Sequence, residues 1–340
     1  MTTISVGILG LGRVGASLGL ALRRYSKEKN ARHQFQIIGV DPRGSAQAAA
    51  EKLGAVERTA RSYAEAAENR DIVIIALPYS DVGPAYREIG LSARPGAVIM
   101  DLSPYKAPSL KWAKEHLPEQ VYMVGVTPVV NPDYLFDGLD DTDHARADLF
   151  DRGSWLLMPA ANCAKDAVEL AADLSSILGA TPHFMDPLEH DALIAATEAI
   201  PALLSLGYFM AVGQGRAWSD AQRLTNPNFG RQTRFLEDTH PDDLRDLLLN
   251  SRQTVVPHLD ATIAALQALR TVIDRGDRDA LEAALIDSAH SYNEWIAKRR
   301  SGRWDEHSET PSAGGSSIMS GLMGDFLAKR LRGDKSRDED

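Results

Sequence analysis

Ile4-Ser-Val-Gly-Ile-Leu-Gly-Leu-Gly-Arg-Val-Gly-Ala-Ser-Leu-Gly19 decides how this chain is read. An apolar strand runs into Gly10-x-Gly12-x-x-Gly15 and passes straight into a helical segment. Each glycine has a separate task in such a turn. The first permits the tight bend, the second lets backbone N–H groups approach a pyrophosphate, and the third lets helix and strand pack closely. The helix N-terminus then points unpaired N–H groups at the phosphates. A second apolar run, Phe35 to Val40, ends on Asp41, an acid placed to accept from the adenosine ribose hydroxyls. Asp41 lies 26 residues past Gly15, beyond the usual spacing of about 20, and the polar stretch Ser26 to Gln34 accounts for the excess as a surface loop. The pattern predicts a dinucleotide seat formed by Gly10, Gly12, Arg13, Val14, Gly15 and Asp41, with Leu77 and Pro78 closing the next buried strand beside it.

From the N-terminus to about residue 185, short apolar strands alternate with helical patterns. Asp71 to Pro78, Ala97 to Asp101, Val121 to Val126, Ser154 to Met158 and Pro182 to Met185 read as strands, and Lys165 to Leu178 as a helix capped by Gly179. This alternation predicts an α/β fold of Rossmann type, a doubly wound and mostly parallel sheet. After Asp186 no convincing strand follows. Residues 186–300 therefore read as an all-helical domain for substrate binding and dimerisation. Asp191 to Ala211, apolar nearly all round, is expected to be a core helix. Residues 301–340 are rich in Ser, Gly and charge and read as a disordered tail, with a possible short helix at Ile318 to Leu331.

Composition narrows the function classes. A net charge of −10 disfavours nucleic acid as a partner, because affinity for a phosphate backbone comes from clustered Lys and Arg. The single cysteine, Cys163, excludes an internal disulfide framework and a cysteine-rich metal site, and it reads as an inert packed thiol. Ile4 to Leu22 lacks the basic start and small-residue cleavage site of a secretory signal, and Arg13 interrupts it. The run Ile200 to Gly213 is too short to span a bilayer. The expected setting is the cytoplasm, with no membrane, no metal and no nucleic acid.

Several pieces of the chain resemble the prephenate and arogenate dehydrogenases of tyrosine synthesis. Gly10 to Gly19 is similar to the family's opening, and Asp101-Leu-Ser-Pro-Tyr-Lys106 to its Asp-x-Gly-Ser-x-Lys segment. Val124-Gly-Val-Thr-Pro128 stands where the family has Gly-x-His-Pro, Glu189-His-Asp191 matches its Glu-His-Asp helix start, and Thr233-Arg234 matches its Thr-Arg. The resemblance covers residues 4 to 298. It implies a Rossmann domain followed by a helical dimerisation domain, an NAD(P) cofactor, and oxidation of a ring carbinol with loss of carbon dioxide. Asp41 favours NAD by repelling a 2′-phosphate, while Arg43 keeps NADP possible.

The resemblance also implies site residues. Arg234 matches the arginine that holds the substrate carboxylate, a task suited to a bidentate guanidinium. The family's proton acceptor is the histidine of His-Pro, and that position here is Thr127, whose hydroxyl orients a group but does not accept a proton near neutral pH. Ser103 sits one residue from the family serine. The family's Ser-His-Leu-Pro-His reads Glu198-Ala-Ile-Pro-Ala202, without either histidine. Glu198 on an apolar helix needs a partner or a cleft, so it either takes over as proton acceptor or pairs with an arginine. Lys106 reads equally as a substrate contact or as a strand-end cation holding Asp101. Asn131 offers an amide to a ligand or shapes the turn before Pro132. His190 reads as a helix-start cap. The expected enzyme is a homodimeric NAD(P)-dependent dehydrogenase of a small carboxylate substrate. Two alternatives stay open: a related oxidoreductase with another substrate, and a dinucleotide-binding sensor or partner protein without catalysis.

Overall fold

The structure is a computed structural model that describes residues 2–304. The expected tail lies almost wholly outside the described residues. Eight strands form one sheet: β1 (Thr2–Leu9), β2 (His33–Val40), β3 (Arg58–Thr59), β4 (Ile72–Ile75), β5 (Val98–Asp101), β6 (Tyr122–Val129), β7 (Ser154–Pro159) and β8 (Thr181–Phe184). Their order is β3-β2-β1-β4-β5-β6-β7-β8, and every pairing is parallel except β6 with β7. Between them run α1 (Arg13–Ser26), α2 (Gly44–Leu53), α3 (Tyr63–Ala67), α4 (Tyr79–Ser92), α5 (Lys106–His116) and α6 (Lys165–Ile177). The strand order reverses between β1 and β4, and the crevice outside their carboxyl ends is where a doubly wound sheet binds its ligand.

The period-two alternation of the strands divides the core into two layers. Val6, Ile8, Ile72, Ile74, Val98 and Met100 pack on one face, together with α1 and α6. Leu9, Val73, Ile75, Ile99 and Met123 pack on the other, under α3 and α4. A strand covered on both faces needs apolar residues at every position, which is why Ile72-Val-Ile-Ile75 reads as an unbroken apolar run. Cys163 packs against the first layer, and burial pushes its thiol above the ordinary range, in keeping with an inert role.

After β8 the chain turns helical. Asp186 caps α7 (Pro187–Ile194) by accepting from the backbone N–H of Leu188 and Glu189. A π-helical turn, Ala195–Ala199, then leads into α8 (Ile200–Gly213). Further helices follow at Pro227–Thr233, Phe235–Asp238 and Pro241–Asn250. The described chain divides into two compact units, one up to Val255 and one from Val256 onward. Packing of α7 on α5, and of Pro241–Asn250 on α4, joins the first helical stretch to the sheet. In the second unit, two long helices meet at a turn where Gly276 adopts φ +64° and Asp277 caps the helix Arg278–Ser301.

The expectation of a core helix is corrected here. In α8 only Ile200, Ala202 and Ser205 are buried, and Tyr208, Phe209 and Met210 reach solvent. The helix is also longer than expected. Pro187–Gly213 is one continuous helix of 27 residues, long and apolar enough by length and composition to cross a membrane. Its start is nevertheless packed in protein, where His190 and Asp191 make buried hydrogen bonds to β6 and α5.

Candidate active site

The three glycines of the first turn differ in what the fold asks of them. Gly10 has φ +93°, and a Cβ there would stand 2.1 Å from the Ala76 carbonyl oxygen. A Cβ on Gly15 would stand 1.9 Å from the Gly10 carbonyl oxygen, so helix and strand pack too closely for any side chain. Gly12 is different. A Cβ there meets nothing nearer than 3.7 Å, and its backbone is ordinary extended chain at φ −63°. The fold itself does not need glycine at this position. A Cβ at Gly12 would make only ordinary van der Waals contact, with Arg43 and the Asp140 carbonyl, so packing does not demand glycine there, whereas close approach of a pyrophosphate to the start of α1 does.

Asp41 lies at the end of β2, 3% exposed, with Oδ2 accepting from Leu11 N at 2.8 Å. Its Oδ1 accepts from Arg43 N at 2.9 Å and Nε at 3.2 Å. This bond to Asp41 raises the Arg43 guanidinium pKa. Oδ2 also accepts from Arg43 Nη2 at 3.5 Å, so the roughly four lone-pair sites of Asp41 are all in use, and a ribose hydroxyl would take the place of the exposed Arg43 guanidinium. Leu77 is buried in the second core layer and Pro78 caps α4. Val14 packs half-buried against the first layer.

Arg13 departs from expectation. Its side chain is buried and forms a bidentate pair with Asp137, both bonds 2.6 Å, while also donating to the Leu139 carbonyl. It stacks over the Tyr134 ring at 5.4 Å. The backbone N–H of Arg13 donates to the Asp140 carbonyl at 3.0 Å, and Thr142 Oγ1 donates to the Leu11 carbonyl at 2.6 Å. Arg13 thus anchors the segment 137–142 over the glycine turn, with three of its five guanidinium N–H donors spent on Asp137 and Leu139. Arg234 lies beside this same segment. Its guanidinium stands 3.8 Å from where a Cβ on Gly138 would be, and it pairs with Asp238 at 2.9 Å. About half of the Arg234 side chain is exposed, so solvent ligands can reach it.

A second group of polar residues gathers at the carboxyl ends of β5 and β6. Lys106 is fully buried, and its Nζ donates to the carbonyls of Asp101 (3.2 Å), Ser103 and Val126 (2.8 Å). All three of its N–H donors are used, which corrects its expected role as a substrate contact. It is the strand-end cation, tying β5 to β6, and burial pulls its pKa down to about 8. Ser103 is buried as well, bonded to Ser109 Oγ at 2.7 Å, and it too is removed from any substrate. Asn131 is buried and shapes the turn: its Oδ1 accepts from Asp133 N and from the Arg152 guanidinium, and its Nδ2 donates to the Asp148 carbonyl. The turn reading of Asn131 therefore replaces the ligand reading.

Thr127 is half-buried on β6, and its Oγ1 lies 2.8 Å from His190 Nε2. His190, 1% exposed, holds its Nδ1 2.9 Å from Asp191 Oδ1. Asp191 is fixed in turn by the start of α5: Oδ1 accepts from Lys106 N and Oδ2 from Ala107 N, each at 2.8 Å. His190 is not a cap, since Asp186 fills that role. Sequence reading missed this line of three residues. Its signal was the adjacency of His190 and Asp191 four residues into a helix, a pair that only the β6–α7 crossing brings to Thr127. Glu198, on the π-helical turn, makes no hydrogen bond or ion pair among the described residues. It reaches solvent yet is crowded by protein, and this desolvation raises its carboxyl pKa. The expected arginine partner is absent among those residues.

Residues 18–182 match the family model described as prephenate dehydrogenase, nucleotide-binding domain, and residues 186–287 match prephenate dehydrogenase, dimerization domain. The glycine turn precedes the first match, so its assignment stands on its own geometry. Among curated relatives, a cyclohexadienyl dehydrogenase of Zymomonas mobilis is 22% identical over 280 residues, covering 81% of this chain and 90% of that protein. Among solved structures, prephenate dehydrogenase of A. aeolicus, in complex with hydroxyphenyl propionate and NAD+, superposes with a TM-score of 0.71 at 18% identity, covering 86% of this chain and 98% of that one. Synechocystis arogenate dehydrogenase superposes with a TM-score of 0.63 at 19% identity, covering 86% and 100%.

Proposed function

The chain belongs to the prephenate dehydrogenase family, and from that premise we propose that it oxidises and decarboxylates a cyclohexadienol carboxylate of the prephenate or arogenate kind, with NAD as cofactor. The observation that carries this reading is that packing does not demand glycine at position 12. Gly10 and Gly15 are required by packing, whereas glycine at position 12 serves only a ligand that must approach the backbone. When bound, the nicotinamide ring supplies the hydride acceptor. The residues of this chain have the remaining tasks.

Asp41 accepts from the ribose and disfavours a 2′-phosphate, which sets the preference for NAD over NADP. Arg234, half-exposed, exchanges Asp238 for a substrate carboxylate. Thr127 is the polar side chain on β6 that both reaches solvent and leads inward to a base. It takes the hydrogen bond of the carbinol hydroxyl as the C–H bond breaks. The exposed apolar face of α8 pairs with a second copy, giving a cytoplasmic homodimer.

The test is turnover by the purified full chain. With NAD and prephenate or arogenate, reduced nicotinamide and an aromatic product should appear in equal amounts, and NADP should be the poorer cofactor. Binding of NAD without product from either acid would overturn the substrate assignment.

A further inference from the structure

We propose that Thr127, His190 and Asp191 form a proton relay in which His190 is the final acceptor, so that this chain has a base although position 127 is threonine. The inference rests on the dehydrogenase reading above. It begins with burial. His190 is 1% exposed and touches no solvent-accessible ligand, whereas Thr127 is accessible and lies 2.8 Å from its Nε2. Thr127 Oγ1 is the hydrogen-bonded step by which a proton leaving a substrate hydroxyl reaches His190.

The tautomer follows from the acceptor. Asp191 carboxylate oxygens accept from Lys106 N and Ala107 N, and a carboxylate has no proton to offer His190. The hydrogen bond at Nδ1 is therefore N–H to carboxylate. That leaves Nε2 bare, with its lone pair toward Thr127. The hydroxyl of Thr127 donates to Nε2, which leaves its oxygen lone pairs to accept the incoming proton. The carbinol O–H proton passes to Thr127 Oγ1 as the Thr127 proton passes to His190 Nε2. A bound nicotinamide would supply the acceptor for the hydride of the carbinol carbon, and the carboxylate on the ring would leave as carbon dioxide with its bonding electrons retained by the aromatising ring. The imidazolium that results faces Asp191, which is itself held by the N–H groups at the start of α5. Asp191 acts through His190 and is a positioning residue, as His190 acts through Thr127.

Two measurements test this, one of them independent of turnover. In protein labelled with 15N-histidine, the His190 ring, assigned by its loss in His190→Gln, should show the neutral tautomer protonated at Nδ1. In Thr127→Val the Nε2 resonance should shift while the tautomer persists. The second measurement is a double-mutant cycle on kcat. Thr127→Val and His190→Gln should each lower kcat about 10²–10³-fold, the size of a lost general base, with the Kd for NAD unchanged. The double variant should be no worse than either single one, because members of one relay are not additive. Thr127→Ser should recover activity to within about threefold of the native chain. A ring protonated at Nε2, multiplying losses, or a fully active Thr127→Val would each overturn the relay. If the native chain turns over neither acid, the substrate reading fails instead, and the tautomer alone decides whether the relay is built.

Discussion

The sheet and the long helix that follows it are equally apolar, yet they use that character in opposite ways. Ile72, Val73, Ile74 and Ile75 are each 0% exposed, covered by α1, α4 and their neighbours within the same chain. In α8, Met210 is 48% exposed and Leu193 just before it 50%. The polar groups divide the same way. Lys106 has three carbonyl partners and Asp191 three N–H partners, all from its own chain. Glu198 has none among the described residues. A region that closes its own core can specify a binding seat alone. A region that leaves an apolar face open calls for a second molecule to finish it, as Tyr208, Phe209 and Met210 exposed side by side do here.

The contrast within the glycine turn breaks first and hardest. Gly15→Val would drive a side chain into the Gly10 carbonyl, so the nucleotide domain should fail to fold, read as loss of cooperative unfolding. Gly12→Ala should melt within a degree or two of the native chain, since nothing lies nearer than 3.7 Å, while NAD binding by titration weakens tenfold or more, an order-of-magnitude expectation for lost close approach. Equal damage from both substitutions would show that position 12 is structural and would remove the main support for a ligand there.

The next effect compares the two apolar regions directly. Ile74→Ala should cost about 2–5 kcal/mol in denaturant unfolding, because its cavity is enclosed on all sides. Met210→Ala should cost less than about 0.5 kcal/mol in dilute solution, and more as concentration rises, if the face is covered only by a second copy. Met210→Asp should leave a folded monomer by light scattering. A dimer that survives this charge would place the interface elsewhere.

How much of this was readable in the sequence follows the same division. The sheet was legible because glycine geometry and apolar runs are local: a strand buried on both faces has to be written as Ile-Val-Ile-Ile. The antiparallel β7 was not, since nothing in Ser154–Pro159 records its direction. The site was half legible. Asp41 and the glycines could be read from spacing, and Arg234 from resemblance. Lys106, Ser103 and Asn131 have polar side chains in suggestive places, but their partners are backbone atoms brought from other strands and turns, and these leave no trace in sequence. The pairing of Thr127 with His190 spans 63 residues and depends on where α7 crosses β6. An apolar helix likewise does not record whether its cover comes from its own chain or another, which is why α8 read as core.

The smallest expected effect concerns Glu198, the unpartnered acid of the open region. Desolvation raises its folded pKa above the ordinary glutamate value of 4.5. Between the two values the folded state holds more protons than the unfolded state, so stability falls as pH rises through that window. Below the ordinary glutamate range both states are protonated and the penalty vanishes. Glu198→Gln should therefore unfold at a higher denaturant midpoint at pH 7, by less than about 1 kcal/mol because the group reaches solvent, and at the native midpoint near pH 4. The same variant separates the two candidates for proton acceptor. With His190 as the acceptor, Glu198→Gln keeps the kcat of the native chain and the gain is purely in stability. A collapse of kcat, with NAD binding intact, would move the base from the closed region of the molecule to the open one and would make the catalytic centre dependent on whatever covers α8.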